Sequence, residues 1–191
     1  PQKSGCANFT AALLKEGANG KTAQQISDDI EYIGASISPT VTQDTTSINI
    51  QVLSQFFERS LDILEEIWRH PDFTPESFDR VQKLILNGLK QRADNPGAIA
   101  KLISNAAYFE GHPYARSSDG YESTISAITI DDIKADYQAI FQDTPPVFFA
   151  VGNLPADPAR DMLHNRPGPQ KRPEPPAAPP APLNHPHQTT R

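Results

Sequence analysis

The length, charge and cysteine content of this chain exclude several classes of protein. The chain has 191 residues, a formal net charge of −6 and one cysteine. It is therefore long enough for one domain with a buried core, it lacks the basic patch that binds nucleic acid, and it cannot form an internal disulfide. Cys6 has no activating base in view, so we interpret it as a core thiol rather than a nucleophile. No apolar run approaches the roughly eighteen residues that span a membrane, and no secretory signal is recognisable.

The start of the chain predicts a pair of helices. The spacing of small and apolar residues favours a buried helix over 4–14. A second helix is predicted to begin at Thr22, where Gln25 would complete a capping box, and to end at Gly34. We expect these two elements to form a helical hairpin.

After Gly34 the hydrophobic period changes from helical to two, which predicts a β-hairpin. The stretches "ASISPTV" and "TTSINIQVL" are rich in β-branched residues, and we place the turn near Gln43 and Asp44. Pro39 cannot donate a hydrogen bond to a neighbouring strand, so the first strand is expected at a sheet edge or at a bulge.

Two helices are predicted after the hairpin. The segment "QFFERSLDILEEIWRH" has helical spacing and is expected to be a surface helix with a stripe formed by Phe57, Leu61, Leu64 and Trp68. Thr74 and Pro75 then mark the cap and first residue of the next helix. Its inward side is expected to hold Phe78, Val81, Ile85 and Leu89.

The rest of the predicted domain contains two more helices and a strand. Pro96 begins a helix through Phe109, with Ile99, Leu102, Ile103 and Ala106 expected on its buried side. Thr129 and Asp132 predict a capping box for a further helix. The run "PVFFAVG" is nearly all apolar and predicts a short strand in a sheet interior.

Composition divides the chain near Asn165. We assign 1–164 to an α+β domain and the proline-rich remainder, 165–191, to an extended linker. A proline-rich docking peptide is the alternative for this segment.

The sequence offers little catalytic chemistry of its own. None of the five histidines has a second histidine four residues away, the spacing that places two imidazoles on one helical face for a metal. No G-x-S-x-G elbow is present, and "EGANGK" lacks the spacing of a phosphate-binding loop.

An ordered set of segments nevertheless resembles one family. These segments are "GCANFTAALLKEGANGKTAQQISDDIEYIGASISPTVTQDTTSINIQVL", "HPDFTPESFDRVQKLIL", "KQRADNP", "HPYARSSDGYESTISAITIDDIKADYQAIF" and "FFAVGNL". Their order and spacing resemble the M16 family of metallopeptidases, which includes insulinase and the mitochondrial processing peptidase. The resemblance implies an α+β fold in which a mostly antiparallel sheet is covered by helices on one face. It also implies opening strands before the first helix and a second half-domain after the linker, both of which we expect outside this sequence.

The resemblance assigns positions to a zinc site. In active members the first helix resembles A-H-F-L-E-H-M-L-F-K-G-T, in which two histidines bind Zn²⁺ and the glutamate is the general base. In this register Asn8 and Ala12 stand at the histidine positions and Ala11 at the base. The family's third ligand, a glutamate, falls at Gly88, whether one counts from Ala12 or aligns back from "ADNP". The resemblance therefore implies no zinc, no other cofactor and no catalysis in this chain.

The same resemblance suggests a function. Degenerate M16 subunits pair with active zinc-binding homologues, so we expect a heterodimer in which this chain helps to form a peptide-binding chamber and zinc is held by the active partner. A structural or assembly module without peptide handling is the alternative. The periplasm or cell envelope of a bacterium is the expected location, and the mitochondrial matrix is the alternative.

Two exposed features are candidate contacts. In active relatives a peptide adds to the edge strand that here reads "ASISPTV", so Ser38 and Thr40 are predicted substrate contacts. Pro39 removes a backbone donor from that edge, and an ordinary edge strand is the competing interpretation. The loop "GHPYARSSDG" presents Tyr114 and Arg116 either to a partner or as parts of a structural turn.

Overall fold

The computed structural model describes residues 3–166. The linker predicted over 165–191 therefore lies almost wholly outside the described residues. The predicted α+β class and the antiparallel strand pairing are confirmed within this range. The strands form two separate two-stranded sheets, β1 with β2 and β3 with β4. In chain order the elements are α1 (Cys6–Leu13), β1 (Gly17–Ala18), β2 (Lys21–Thr22), α2 (Ala23–Tyr32), β3 (Ser36–Val41), β4 (Thr46–Gln51), α3 (Phe57–Arg69), α4 (Pro75–Ala93), α5 (Pro96–Tyr108), α6 (Glu122–Ala127), α7 (Ile130–Tyr137) and α8 (Ala156–His164).

The helices α2, α4 and α7 begin at the capping residues that the sequence predicts. The hydroxyl of Thr22 accepts a hydrogen bond from the Gln25 amide at 3.3 Å, and the Gln25 side chain accepts one from the Thr22 amide at 2.9 Å. Thr129 forms the corresponding box at the start of α7. Thr74 caps α4, and Pro75 is its first residue. These side chains satisfy amide groups that have no partner within the helix.

The connection between α1 and α2 is a tight β-hairpin rather than a simple helical hairpin. β1 and β2 pair antiparallel around Asn19 and Gly20, which have φ angles of 53° and 77°. Positive φ at both central residues is the geometry that an Asn-Gly pair favours. The Asn-Gly pair in the sequence therefore favours this β-hairpin, and the prediction of two helices joined by a simple loop did not include it.

The β3–β4 hairpin follows the predicted alternation. Its register pairs Val41 with Thr46 and Ser36 with Gln51, which places the turn at the predicted Gln43 and Asp44. Ile37 is buried on the core side of the hairpin.

Two apolar clusters form the core, and α3 contributes to both. Leu61, Leu64 and Trp68 belong to the larger cluster, which also contains α1, α4 and α7 side chains. Ile63 and Ile67 belong to the smaller one, with side chains of α2 and β3. The predicted stripe of Leu61, Leu64 and Trp68 is therefore confirmed as buried, whereas the prediction that α3 is a surface helix was wrong, because Ile63 and Ile67 are buried on a second side.

Two predictions about long-range packing were also wrong. No residue of α5 is buried, and Ile103, predicted inward, is 64% exposed. This helix contacts α4 and the turn at Pro113–Ala115 but lies away from both clusters. The predicted strand "PVFFAVG" is not paired with any described strand, and Phe149 is 90% exposed. A strand requires a neighbouring strand, and none lies beside it within 3–166.

Two helices, α6 and α8, were not predicted from the sequence. α8 is followed by Arg166, whose guanidinium donates to Glu65 at 2.7 Å and to Asp62 at 2.5 Å. Both acidic residues belong to α3. Arg166, at the end of the described chain, is therefore bound to α3, the helix that contributes to both apolar clusters.

Candidate functional site

The helix α1 carries three of the four predicted site positions. Its alanine-rich sequence favours a helix, and Phe9 and Leu13 bury its inner side. Ala11 is also fully buried, Ala12 is partly buried against the larger cluster, and Asn8 is half-buried. The three side chains thus differ in environment, although all lie within one turn and a half of helix.

Asn8 takes part in a hydrogen-bonded network that was not predicted. Its side-chain amide donates to one carboxylate oxygen of Asp119 at 3.1 Å. The other oxygen of Asp119 accepts from Arg92 at 2.7 Å. Arg92 also donates to the Ser117 hydroxyl and the Gly120 carbonyl, each at 3.3 Å. We call Asn8, Asp119 and Arg92 the clamp, since they join α1, the loop before α6, and α4.

Two glycines bring the start of α1 against the loop that carries Asp119. Gly5 has a φ angle of 91° and Gly120 one of 78°. A Cβ atom on Gly120 would lie 2.5 Å from the Ser4 carbonyl oxygen, and one on Gly5 would lie 2.8 Å from the Asp119 carbonyl oxygen. Both positions therefore require glycine, because any side chain would separate the two backbones and pull Asp119 away from Asn8.

Gly88, the fourth predicted position, lies inside α4. It precedes Arg92 by four residues, so the two share one side of the helix. The space around it is open, since a Cβ atom there would have no neighbour within 4 Å. The side of α4 that carries Gly88 is therefore the side from which Arg92 reaches the loop that Asn8 contacts.

These four residues do not fit a zinc ion. Zinc in proteins is bound by imidazole, thiolate and carboxylate groups. Ala12 and Gly88 have no donor atom, and Asn8 offers only a neutral amide, whose nitrogen donates to Asp119. Elsewhere within 3–166, no three His, Cys, Asp or Glu side chains converge in a way that could hold a metal ion. Without a ligand set or a base at Ala11, the arrangement supports no metal-assisted hydrolysis.

The clamp makes a prediction about stability. Replacing Arg92 with methionine keeps much of the apolar stem but removes three hydrogen bonds, one to a carboxylate that is half exposed. We expect the free energy of unfolding to fall by about 1–2 kcal/mol, measured by urea denaturation. The control is Arg59→Met, because Arg59 is the more exposed of the two arginines and its ion pair with Asp62, at 3.9 Å, is an ordinary surface pair. Equal effects of the two substitutions would show that the clamp adds nothing beyond an ordinary surface ion pair.

The predicted substrate contacts lie on the solvent side of the hairpin. Ser38 and Thr40 are both exposed, and the Thr40 hydroxyl accepts from Asn49 at 3.2 Å. The edge of β3 faces the end of α1, where the Lys15 ammonium donates to the Ile37 carbonyl at 2.9 Å. Sequence reasoning missed this contact.

The loop after α5 is fastened to the turn of the β3–β4 hairpin. The Tyr114 hydroxyl lies 2.8 Å from each carboxylate oxygen of Asp44, and the Gln43 side chain donates to the Arg116 carbonyl at 2.6 Å. The hydrogen bond to Asp44 raises the pKa of Tyr114. Tyr114 therefore has a structural contact within the domain, whereas the Arg116 side chain remains exposed.

A cleft of about 480 Å³ lies between the start of α1, the β3–β4 turn and this loop. Cys6 and Asp136 are among its lining residues. Burial raises the pKa of the Cys6 thiol to about 11 and also raises the pKa of Asp136. The thiol is therefore protonated at neutral pH, which agrees with its prediction as a core thiol and not as a nucleophile.

The fold and site together define an α+β domain whose predicted metal-ligand positions hold side chains that cannot bind zinc. The family model described as insulinase (peptidase family M16) matches residues 1–119. The chain belongs to this family, as the sequence segments predicted.

Individual relatives include proteins described as lacking peptidase activity. The chain is 24% identical over 161 residues to the "Non-peptidase homolog YmxG" of Helicobacter pylori, covering 84% of this chain and 37% of that protein. It is 24% identical over 151 residues to the mitochondrial cytochrome b-c1 complex subunit 1 of Caenorhabditis elegans, covering 79% of this chain and 32% of that protein. Among solved structures, the peptidase M16 inactive domain of Pseudomonas fluorescens matches with a TM-score of 0.65 and 31% identity, covering 70% of this chain and 33% of that one. The chain thus spans less than two fifths of each.

Within residues 3–166, no helix is both long enough and apolar enough to cross a bilayer.

Proposed function

We propose that this chain is part of a non-catalytic M16 subunit that pairs with an active, zinc-binding homologue and helps to enclose a peptide-binding chamber. The observation that carries this proposal is the clamp. The family resemblance assigns Asn8 to the position of the first zinc ligand, and the side-chain amide of Asn8 donates a hydrogen bond to Asp119 in the loop before α6. At this position a hydrogen bond within the domain, from Asn8 to Asp119, therefore replaces a metal ligand. The two helices that carry the predicted site positions, α1 and α4, are both present.

The relatives support the absence of catalysis. One is named a non-peptidase homologue and another an inactive domain. We extend this to the present chain because Ala12 and Gly88 offer no zinc ligand and Ala11 offers no base. In the proposed heterodimer, zinc is bound by the active partner. Ser38 and Thr40 would reach a peptide through their exposed hydroxyls, since both side chains face solvent.

The proposed pairing is tested with the full-length protein. It is purified alone and mixed with the active M16 homologue from the same organism, and cleavage of a fluorogenic peptide library is followed with and without a zinc chelator. We expect no cleavage by the protein alone, and faster, chelator-sensitive cleavage by the mixture than by the homologue with albumin. Chelator-sensitive cleavage by the protein alone would refute the non-catalytic assignment. The mixture is also separated by size-exclusion chromatography, and failure of the two proteins to elute together would refute the pairing.

The alternative is a structural subunit that handles no peptide. Its support is the similarity to a protein named as a subunit of the cytochrome b-c1 complex. Affinity purification of the full-length protein separates the two proposals. An H-x-x-E-H peptidase among the partners favours the chamber, whereas a stable complex without any peptidase favours the structural role.

For the compartment we propose the bacterial periplasm or envelope, with the mitochondrial matrix as the alternative. The relatives come from bacteria and from mitochondria. In bacterial cells, a protein that becomes accessible to protease only after osmotic shock supports the periplasm. A protein that co-fractionates with mitochondria and is digested only after both mitochondrial membranes are opened supports the matrix.

A further inference from the structure

The hydrogen-bond pattern of the β3–β4 hairpin fixes which backbone groups face outward. The Thr42 amide donates to the Thr45 carbonyl at 2.8 Å, just beyond the pair formed by Val41 and Thr46. Hydrogen-bonded and non-hydrogen-bonded pairs alternate along an antiparallel ladder. Residues 37, 39 and 41 therefore direct their backbone N–H and C=O groups away from β4, along the outer edge of β3.

Within residues 3–166, no second strand pairs with this edge of β3. An unpaired edge is a docking surface for an extended peptide, which adds as a further strand through main-chain hydrogen bonds. A strand that docks here needs the outward groups of Ile37, residue 39 and Val41. The Ile37 carbonyl already accepts a hydrogen bond from the Lys15 ammonium at 2.9 Å. Pro39 has no N–H to donate. At Ile37 the carbonyl is therefore already occupied, and at Pro39 the N–H is absent. Each of these two successive outward positions thus lacks one free group with which an added strand would form a hydrogen bond.

We infer that Lys15 and Pro39 seal the outer edge of β3 against strand addition. Lys15 lies in the turn that follows α1, and α1 packs against β3, so its ammonium is held beside the strand. An incoming strand would have to displace a charged donor at Ile37 and leave its own carbonyl without a partner opposite Pro39, and a buried carbonyl without a partner is costly.

The seal gives the proposed chamber a specific division of roles, and this consequence rests on the proposed function. Peptide would add as a strand to the active partner, while this chain would supply a wall and the side chains of Ser38 and Thr40. The seal itself depends on the contacts of this chain alone, so it can be tested without the partner.

The experiment opens the edge in the full chain. Lys15→Met removes the ammonium but keeps an aliphatic side chain, and Pro39→Val restores an N–H in a residue suited to strands. The probe is a fluorescein-labelled eight-residue peptide of alternating valine and threonine flanked by lysines. Binding is followed by fluorescence anisotropy, and the amides of Ile37 and Val41 are followed by hydrogen exchange. Lys101→Met, an exposed lysine on α5, is the matched control, and circular dichroism verifies folding.

We expect the double variant to bind the probe at least tenfold more tightly than the wild type, with slowed exchange at Ile37 and Val41. The wild type and Lys101→Met should show no such slowing. If the probe slowed hydrogen exchange at the amides of Ile37 and Val41 in the wild type, compared with the wild type without the probe, the inference would be overturned. This measurement does not depend on the folding of any variant. Equal binding by a folded double variant and the wild type would overturn it as well. Neither result bears on whether the protein pairs with an active homologue.

Discussion

Replacing Phe9 with alanine is expected to lower the free energy of unfolding by about 3–5 kcal/mol. The Phe9 side chain is 0% exposed and stacks on Phe78 with ring centroids 4.9 Å apart. This contact joins α1 to α4, the two helices that carry the predicted site positions. Alanine would leave a cavity at their junction and lose the ring contact as well as the transfer energy. Urea denaturation followed by Trp68 fluorescence and by circular dichroism measures the change.

Leu84→Ala is the control for this substitution. Leu84 also lies on α4 but is 58% exposed, so its removal should cost no more than about 0.5 kcal/mol. If Phe9→Ala lowered the free energy of unfolding by no more than Leu84→Ala, the packing of α1 on α4 would not stabilise the two helices that carry the predicted site positions. The Asn8 amide should also lose its contact with Asp119 in the Phe9 variant, because the start of α1 would shift.

The sequence predicted those parts of the fold that depend on neighbours along the chain. Thr22, Thr74 and Thr129 each cap a helix by bonding an amide three residues away, so the signal and its partner lie within one turn. The burial of α5 and the pairing of "PVFFAVG" depend on distant partners. Apolar residues such as Ile103 and Phe149 have the right composition for a core, yet composition does not state which surface will cover them.

The candidate site divides in the same way. The positions of Asn8, Ala11, Ala12 and Gly88 in a zinc site are a prediction from the family pattern. The clamp could not be found, because Asn8 and Asp119 are 111 residues apart and Arg92 and Asp119 are 27 apart. None of these three residues is unusual in its local sequence.

The same limit applies to the edge of β3. Pro39 was recognised from the sequence as a residue without a donor. The Lys15 contact with Ile37, 22 residues away, required the structure.

Restoring the three ligands is expected to restore zinc binding, which tests the assignment of the site positions. The variant carries Asn8→His, Ala12→His and Gly88→Glu. Residues 8 and 12 are one helical turn apart, so two histidines there face the same way. The open space at Gly88 accepts a longer side chain without a clash. Ala11 is left unchanged because it is buried and because the base is not a metal ligand.

We expect the triple variant to retain one equivalent of zinc after dialysis and the wild type to retain none, as measured by atomic emission. Added zinc at one hundred times its dissociation constant should stabilise the triple variant by about 2.7 kcal/mol. The control is the double variant Asn8→His, Ala12→His, which offers two imidazoles and no carboxylate. Equal retention by the double and triple variants would show that Gly88 does not occupy the third ligand position. Strong binding confined to the triple variant would mean that this chain keeps the geometry of a metallopeptidase site and lacks only the side chains.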